Sequence, residues 1–532
     1  MKKKKKKNIA DLDQLLDEIK SGIPRATKIK KSKSQKDSDY NAITIAPLQT
    51  TTPYQDALQT MLSTRLHPSL ENTSESMELS LLDKSGVFFG MLSSQTYPNY
   101  VGKDSAVDGH FLTLGGTGSG KTTSLLLNTL MSWHHTLVAI DLKGDMVDKW
   151  HLINNSKPKH LRKNLKLVNP SLPNACHLDI YFFLASNGEE NLYQNARTLA
   201  LSLLPPNSNT NDPIWRNSSQ QILTGCILYF FKEGFSFIET MIAMQSQDVR
   251  SLLSLIRGSE NELAKLAVAQ LDNVEDKILM NLGLDLSELS IFATDPMITN
   301  TLTPEADGEV LSWGDINSPT ANCDVIIQIE ESKLEAWKPF TQLLFSQLLR
   351  SLSQRQDKYL SLVNQEPVLL LLDEFPRLGY IPEINHSLST LRSRDVTIGL
   401  FLQSTAQLDN IYGEDVRKII MDNCQYKVIL SATDPDTQEQ LSKLTGVIKV
   451  GSRSVTQNSS SQFNFSMSVA ETYEPMFFPH EFSTLKDVLL LSPYGVSLLD
   501  KVFYQSDRLF PVRNVENHRL MLSIRRSYNE ES

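Results

Sequence analysis

Gly115-Gly116-Thr117-Gly118-Ser119-Gly120-Lys121-Thr122 is the stretch on which the fold turns. It follows the apolar run Phe111–Leu114 and leads into Leu125, Leu126, Leu127 and Leu130, an apolar set at helical spacing. Strand, glycine-rich turn and helix in that order fit G-x-x-x-x-G-K-[ST], a loop whose backbone N–H groups wrap a phosphate chain at the positive end of a helix. Lys121 is expected to reach the β and γ phosphates, and the Thr122 hydroxyl to ligate Mg²⁺. The expected cradle for ATP is Gly115, Gly116, Thr117, Gly118, Ser119, Gly120, Lys121, Thr122 and Thr123.

A phosphate loop that serves hydrolysis needs carboxylates, and Val368–Leu372, a purely apolar run, ends in Asp373 and Glu374. Two acids at the end of a buried strand are costly without a cation. Asp373 is therefore expected to hold the Mg²⁺ shell, and Glu374 to polarise the attacking water. About 250 residues separate the loop from these acids, far more than a small-molecule kinase needs. Downstream, Ile398–Leu402 runs into Gln403, a polar strand end placed to sense the γ-phosphate. Arg392 is the candidate for a finger completing a neighbouring subunit's site, with Arg394 two residues on as the rival.

Working outward, the apolar runs Leu137–Ile140, Val325–Ile329 and Val428–Leu430 alternate with helical patterns, as in a parallel sheet covered on both faces. Between residues 190 and 310 the strand signal disappears. There Asp212-Pro213 opens a helix carrying Trp215, Ile222, Leu223, Cys226 and Phe230 at helical spacing. Residues 451–472, rich in Ser, Asn and Gln, read as a mobile or hairpin excursion. The fold class expected is α/β: a mainly parallel sheet around a phosphate loop, with an all-helical insertion. The expected layout is an arm over 1–80, a first sheet part over 81–190, the insertion over 191–310, a second sheet part over 311–515 and a tail over 516–532.

The formal charge of -9 over 532 residues hides an asymmetry. The first 36 residues carry thirteen Lys and Arg, six of them Lys2 to Lys7, against four acids, which leaves the remainder at -18. The arm is polar apart from Ile9, Leu12, Leu16 and Ile19 on one helical face, and its charge suits phosphate, whether of nucleic acid or of an anionic membrane. Cys176, Cys226, Cys323 and Cys424 lack C-x-x-C or His spacing, which points to reduced core thiols rather than zinc. No stretch approaches the roughly 20 apolar residues of a membrane span. The expected location is cytoplasmic, with the arm as the route to peripheral contact at the inner membrane.

At these residues the sequence resembles the type IV coupling proteins, the TraG/TraD-like conjugation ATPases of the wider FtsK/HerA group. The likeness covers roughly Val87 to Arg513 and has its landmarks in order. They are Phe89-Gly90, then Ala139-Ile140-Asp141-Leu142-Lys143-Gly144-Asp145, Ile214-Trp215, Leu372-Asp373-Glu374-Phe375-Pro376-Arg377-Leu378-Gly379, and Leu402-Gln403-Ser404 through Gln407-Leu408 to Tyr412-Gly413. The group's arginine, eleven residues before the strand-end Gln, corresponds to Arg392.

The resemblance implies a RecA-like motor domain, a helical domain facing substrate, and a homo-hexameric ring around DNA. It also implies delivery of single-stranded, relaxase-bound DNA, or of protein, to the components of a type IV secretion channel. Most members begin with membrane-spanning helices, where this sequence has its basic arm. Two other readings fit the same residues: a soluble FtsK/HerA-like motor in DNA segregation, packaging or repair, and an adaptor for protein substrates assembled by nucleotide. Glu374 speaks against the adaptor, since a platform that does not hydrolyse has no use for a water-polarising acid.

Overall fold

The computed structural model describes residues 78–79, 85–93 and 98–504, apart from residue 158 and the segments 186–187, 206–212, 272–275, 305–307, 318–322, 361–364 and 458–464. The basic arm with its amphipathic face, and the tail from 516, lie outside the described residues. Only Glu78–Leu79 of the stretch assigned to the arm is described, and it pairs with a neighbouring strand.

The strands in chain order are β1 (Glu78–Leu79), β2 (Gly86–Ser93), β3 (Pro98–Asp104), β4 (Phe111–Leu114), β5 (Thr136–Asp141), β6 (Asn164–Val168), β7 (His177–Leu178) and β8 (Val310–Leu311). They continue with β9 (Cys323–Gln328), β10 (Val368–Leu372), β11 (Val396–Leu402), β12 (Tyr426–Ile429), β13 (Val447–Gln457), β14 (Phe465–Pro475), β15 (Val488–Ser492) and β16 (Gly495–Leu499). The central sheet is nine-stranded in the order β16-β15-β12-β4-β11-β10-β5-β9-β6. It is parallel from β12 to β6 and antiparallel at the β15–β16 edge. The expected mainly parallel sheet is therefore present, and β11 lies between the phosphate-loop strand β4 and the acidic strand β10.

The sheet is covered on both faces, which explains why its strands are continuous apolar runs. Side chains alternate: Leu112 and Leu114 of β4 and Leu370 and Leu372 of β10 join one core cluster, while Phe111, Leu369 and Leu371 join the other. The first cluster also contains Leu223, Cys226 and Phe230 of the helix Pro213–Lys232, so one sheet face and the helical segment share a continuous core. The second contains Phe88 and Phe89 of β2 and Leu125, Leu126, Leu127 and Leu130 of the helix after the phosphate loop. The antiparallel sheet β1-β3-β2 thus belongs to the face opposite the helical segment.

Between β7 and β8 every described element is helical, from Phe182–Ala185 to Pro296–Thr301. The Ser- and Asn-rich stretch falls in a two-stranded antiparallel hairpin, β13 with β14. All four cysteines are buried thiols. Among the described residues no helix is long and apolar enough to cross a membrane.

Candidate functional site

The turn from β4 to its helix is held by main-chain contacts. Gly115 N–H donates to Leu402 O at the end of β11 (3.1 Å), and Gly116 N–H donates to Ser431 Oγ (3.1 Å). Gly118 and Gly120 have φ of 75° and 96°, values that side chains resist, so glycine is needed at both corners. The helix begins as a π-helical turn, Lys121–Leu126, before continuing as Leu127–Ser132. Such wide turns recur at functional sites. Lys121 is buried at 5% exposure, and its ammonium donates to the carbonyls of Gly115 and Gly116. Burial holds its pKa below the usual lysine value, while Glu374 and Asp373 pull the other way. The charges of loop and acids therefore act on one another across a single cleft.

Asp373 and Glu374 leave the end of β10 at 5% and 7% exposure. Burial pushes the Asp373 carboxyl above the usual carboxylate range and Glu374 adds to the push, while Lys143 and Lys121 offset it. A buried carboxylate so placed favours a cation, and with Thr122 on the first turn of the loop helix these residues suit a hard, oxygen-seeking divalent ion. Glu374 adopts a left-handed backbone conformation, φ 50° and ψ 40°, which is uncommon for a residue with a Cβ. Its carboxylate is gripped from two sides. Gln403 Nε2 donates to Oε2 at 2.9 Å, and Lys143 Nζ lies 3.8 Å from Oε1.

Gln403 is aligned in turn by Gln407, whose Oε1 accepts from the Gln403 N–H at 3.0 Å. Lys143 is delivered by a turn that Asp141 builds at the end of β5. The Asp141 carboxylate accepts from the N–H groups of Lys143 (3.1 Å), Gly144 (2.8 Å) and Met146 (2.9 Å), and from Gln328 Nε2 (3.0 Å). Lys143 and Asp141 were legible in sequence only as part of a family landmark. The available signal was an acid ending a buried strand two residues before a lysine and three before a glycine.

Arg392 and Arg394, two residues apart in sequence, differ in their surroundings. Arg394 Nη1 donates to the carbonyls of Ser353 and Arg355, tying it to its own subunit, whereas Arg392 is exposed. Both precede β11, and Gln403 follows it, so the length of the strand separates them: about 23 Å at about 3.3 Å per residue. The Arg392 charge acts instead on His110, which precedes β4. The structure brings Lys121, Asp373, Glu374 and Gln403 together at the carboxyl ends of the strands, and places Arg392 at the other end.

A phosphate-binding turn, a buried acid for a divalent cation and an oriented second acid together can bind a nucleoside triphosphate and position water against its terminal phosphate. The family model described as "Type IV secretory system Conjugative DNA transfer" matches residues 70–517. A conjugal transfer protein TraG of Escherichia coli is 26% identical over 404 residues, covering 70% of this chain and 61% of that protein. Protein VirD4 of Rhizobium rhizogenes is 23% identical over 412 residues, covering 75% and 59%. The chain thus spans about three fifths of these curated relatives. Among solved structures, the unbound conjugative coupling protein TrwBdeltaN70 superposes with a TM-score of 0.60 at 18% identity, covering 75% of this chain and 87% of that one. Plasmid coupling protein TrwB in complex with ADP and Mg²⁺ gives 0.58 at 18%, covering 76% and 87%. At that identity the likeness speaks for the fold.

Proposed function

The chain belongs to the type IV secretory system conjugative DNA transfer family, and on that premise we propose that it is an ATP-hydrolysing coupling protein. Its work is to drive DNA, single-stranded and relaxase-bound, toward the components of a type IV secretion channel. The observation that carries this reading is the bond from Gln403 to Glu374, which joins the strand beside the phosphate loop to the acidic strand.

In this reading Gly115 to Thr123 cradle ATP, Lys121 leaves its own loop's carbonyls for the phosphates, and Thr122 and Asp373 hold Mg²⁺. The metal neutralises phosphate charge. Glu374 orients and deprotonates the attacking water, and Gln403 keeps its carboxylate aimed. The magnesium and nucleotide in the TrwB complexes support the choice of cofactors. Because Arg392 is separated by a strand length from its own subunit's acids, it serves a neighbour, and the working form is a closed ring, a homo-hexamer. The basic first 36 residues add contact with DNA or with the inner membrane.

The test is ATP turnover by oligomeric protein with single-stranded or duplex DNA at two salt concentrations. Turnover should rise with DNA of any sequence, and the rise should weaken steeply between about 50 and 200 mM salt, because releasing the same counterions into a saltier solution gains less free energy. Glu374→Gln should keep Mg-ATP binding and lose hydrolysis by about 100-fold or more. Turnover indifferent to both forms of DNA rules out translocation on DNA, and wild-type turnover in Glu374→Gln removes the role given to that acid.

A further inference from the structure

The phosphate loop has two sides. On one stand Asp373, Glu374 and Lys143, at the ends of β10 and β5; on the other, past β12, opens a cavity of about 490 Å³ whose wall includes Gly118 and Ser119 of the loop itself. Leu485, half-buried, supplies apolar lining beside the fully buried Leu430, and Phe503, 48% exposed, presents an aromatic ring at the same cavity. Lys486, Asp487, Asp500 and Lys501 supply charge, and Ser119 and Ser431 hydroxyls. The volume is within the range of pockets that take small organic ligands, about 300–1,000 Å³, and the wall is mainly polar, with Phe503 and Leu485 as its accessible apolar side chains.

The segment that brings Phe503 here is fastened to the loop and its helix. Lys501 Nζ donates to Ser119 O (3.1 Å), Tyr504 N–H donates to Thr123 O (3.0 Å), and Asn128 Nδ2 donates to Val502 O (2.8 Å). A Cβ on Gly120 would come within 3.4 Å of the Phe503 ring. An aromatic ring half-exposed beside a phosphate loop, on a segment bonded to that loop, is placed to receive a flat apolar group.

Strand order sets the direction of a bound nucleotide. The terminal phosphate must face Glu374, on the β10 side, so the nucleoside end leaves the loop over β12, where this cavity lies. We propose that the cavity is the nucleoside subsite, with the base stacked on Phe503 and bordered by Leu485. The proposal rests on the nucleotide reading of the loop and extends it to residues 485–503, which no motif marks.

The test is titration calorimetry of the full chain with Mg-ADP and with Mg-tripolyphosphate, which has the phosphates and no base. Phe503→Ala should weaken Mg-ADP about ten-fold, the loss of one base–aromatic stack, and leave Mg-tripolyphosphate within about two-fold; Phe503→Trp should restore Mg-ADP. Leu485→Asn, elsewhere in the lining, should act in the same selective way, and melting temperature reports whether either variant remains folded. Equal weakening of both ligands would overturn the subsite, since the segment would then only brace the loop, and so would loss of neither. If wild-type protein binds neither ligand, the nucleotide reading itself fails and the subsite falls with it.

Discussion

Glu374 shows how a single residue is held against its own backbone preference. Its left-handed conformation costs on the order of 1–3 kcal/mol and persists only where surrounding contacts outweigh it. Those contacts converge on the carboxylate, from Gln403 on one oxygen and Lys143 on the other. Gln403 is legible in sequence because it ends an apolar strand. Lys143 is not, because a lysine after a strand is ordinarily a solvated surface charge, and only the four bonds to Asp141 turn it toward the cleft. Lys143 is half-exposed and lies beyond direct hydrogen-bond distance of Glu374, so its effect is to orient the acid rather than to stabilise the fold. Lys143→Met should lower kcat about 10- to 100-fold, the cost of a misplaced reacting group, with nucleotide affinity within about two-fold and recovery in Lys143→Arg. Steady-state kinetics beside binding titrations decide it. Weakened nucleotide binding with kcat unchanged would assign Lys143 to the phosphates instead.

Among the elements, β11 links the two halves of the site. Its register sets Leu402 opposite Leu114 of β4 and Leu400 opposite Leu372 of β10, so Gln403 emerges between the loop and the acids. Close to its middle is Gly399, where a Cβ would meet the Phe111 ring at 2.2 Å. That ring cannot move aside, because it is packed edge-on between Phe89 (5.8 Å) and Phe401 (5.9 Å). Gly399→Ala should therefore destabilise the protein by about 1–3 kcal/mol, the usual cost of overpacking, and Phe111→Leu in the same chain should recover part of it. Urea unfolding of the three proteins measures both effects; a neutral Gly399→Ala would mean that the two strands separate easily.

The central strands were legible because burial on both faces makes them continuous apolar runs, and their ends were off by only a residue or two: Ile329 and Leu430 fall just beyond β9 and β12. Edge strands were not. In β6 Lys166 lies between Leu165 and Leu167, which reads as a half-exposed segment. In β15, Val488–Leu491 is as apolar as any parallel strand, yet it pairs antiparallel with β12 and, across the short turn of Pro493 and Tyr494, with β16.

At the scale of the whole molecule, the proposed ring would leave the site of one subunit incomplete without its neighbour. Arg392 is exposed at the amino-terminal end of β11, and the acids it would serve are at the carboxyl-terminal end of the sheet. Mixing inactive Arg392→Ala with inactive Lys121→Ala protein should restore a fraction of wild-type turnover, because mixed rings contain interfaces with one intact cradle and one intact finger. Arg394, bound to Ser353 and Arg355 of its own chain, should give no such complementation. ATP turnover across mixing ratios, with co-assembly verified by size, checks this; no recovery at any ratio would place Arg392 outside the reaction.

The sequence by itself determined the glycine-rich turn between β4 and its helix and the two acids that end β10. Those features are built within one strand, turn and helix, or at the end of one strand, so their geometry is local and their residue pattern is constrained. Only the tertiary structure decided that Gln403 and Lys143 converge on Glu374, that Arg394 is tied down while Arg392 is exposed, and that the chain around Phe503 lies along the phosphate loop. Each of these depends on strand order, and Lys501 meets Ser119 across 382 residues of chain. Order in a sheet is chosen by how both of its faces pack as a whole, which no short stretch of sequence records.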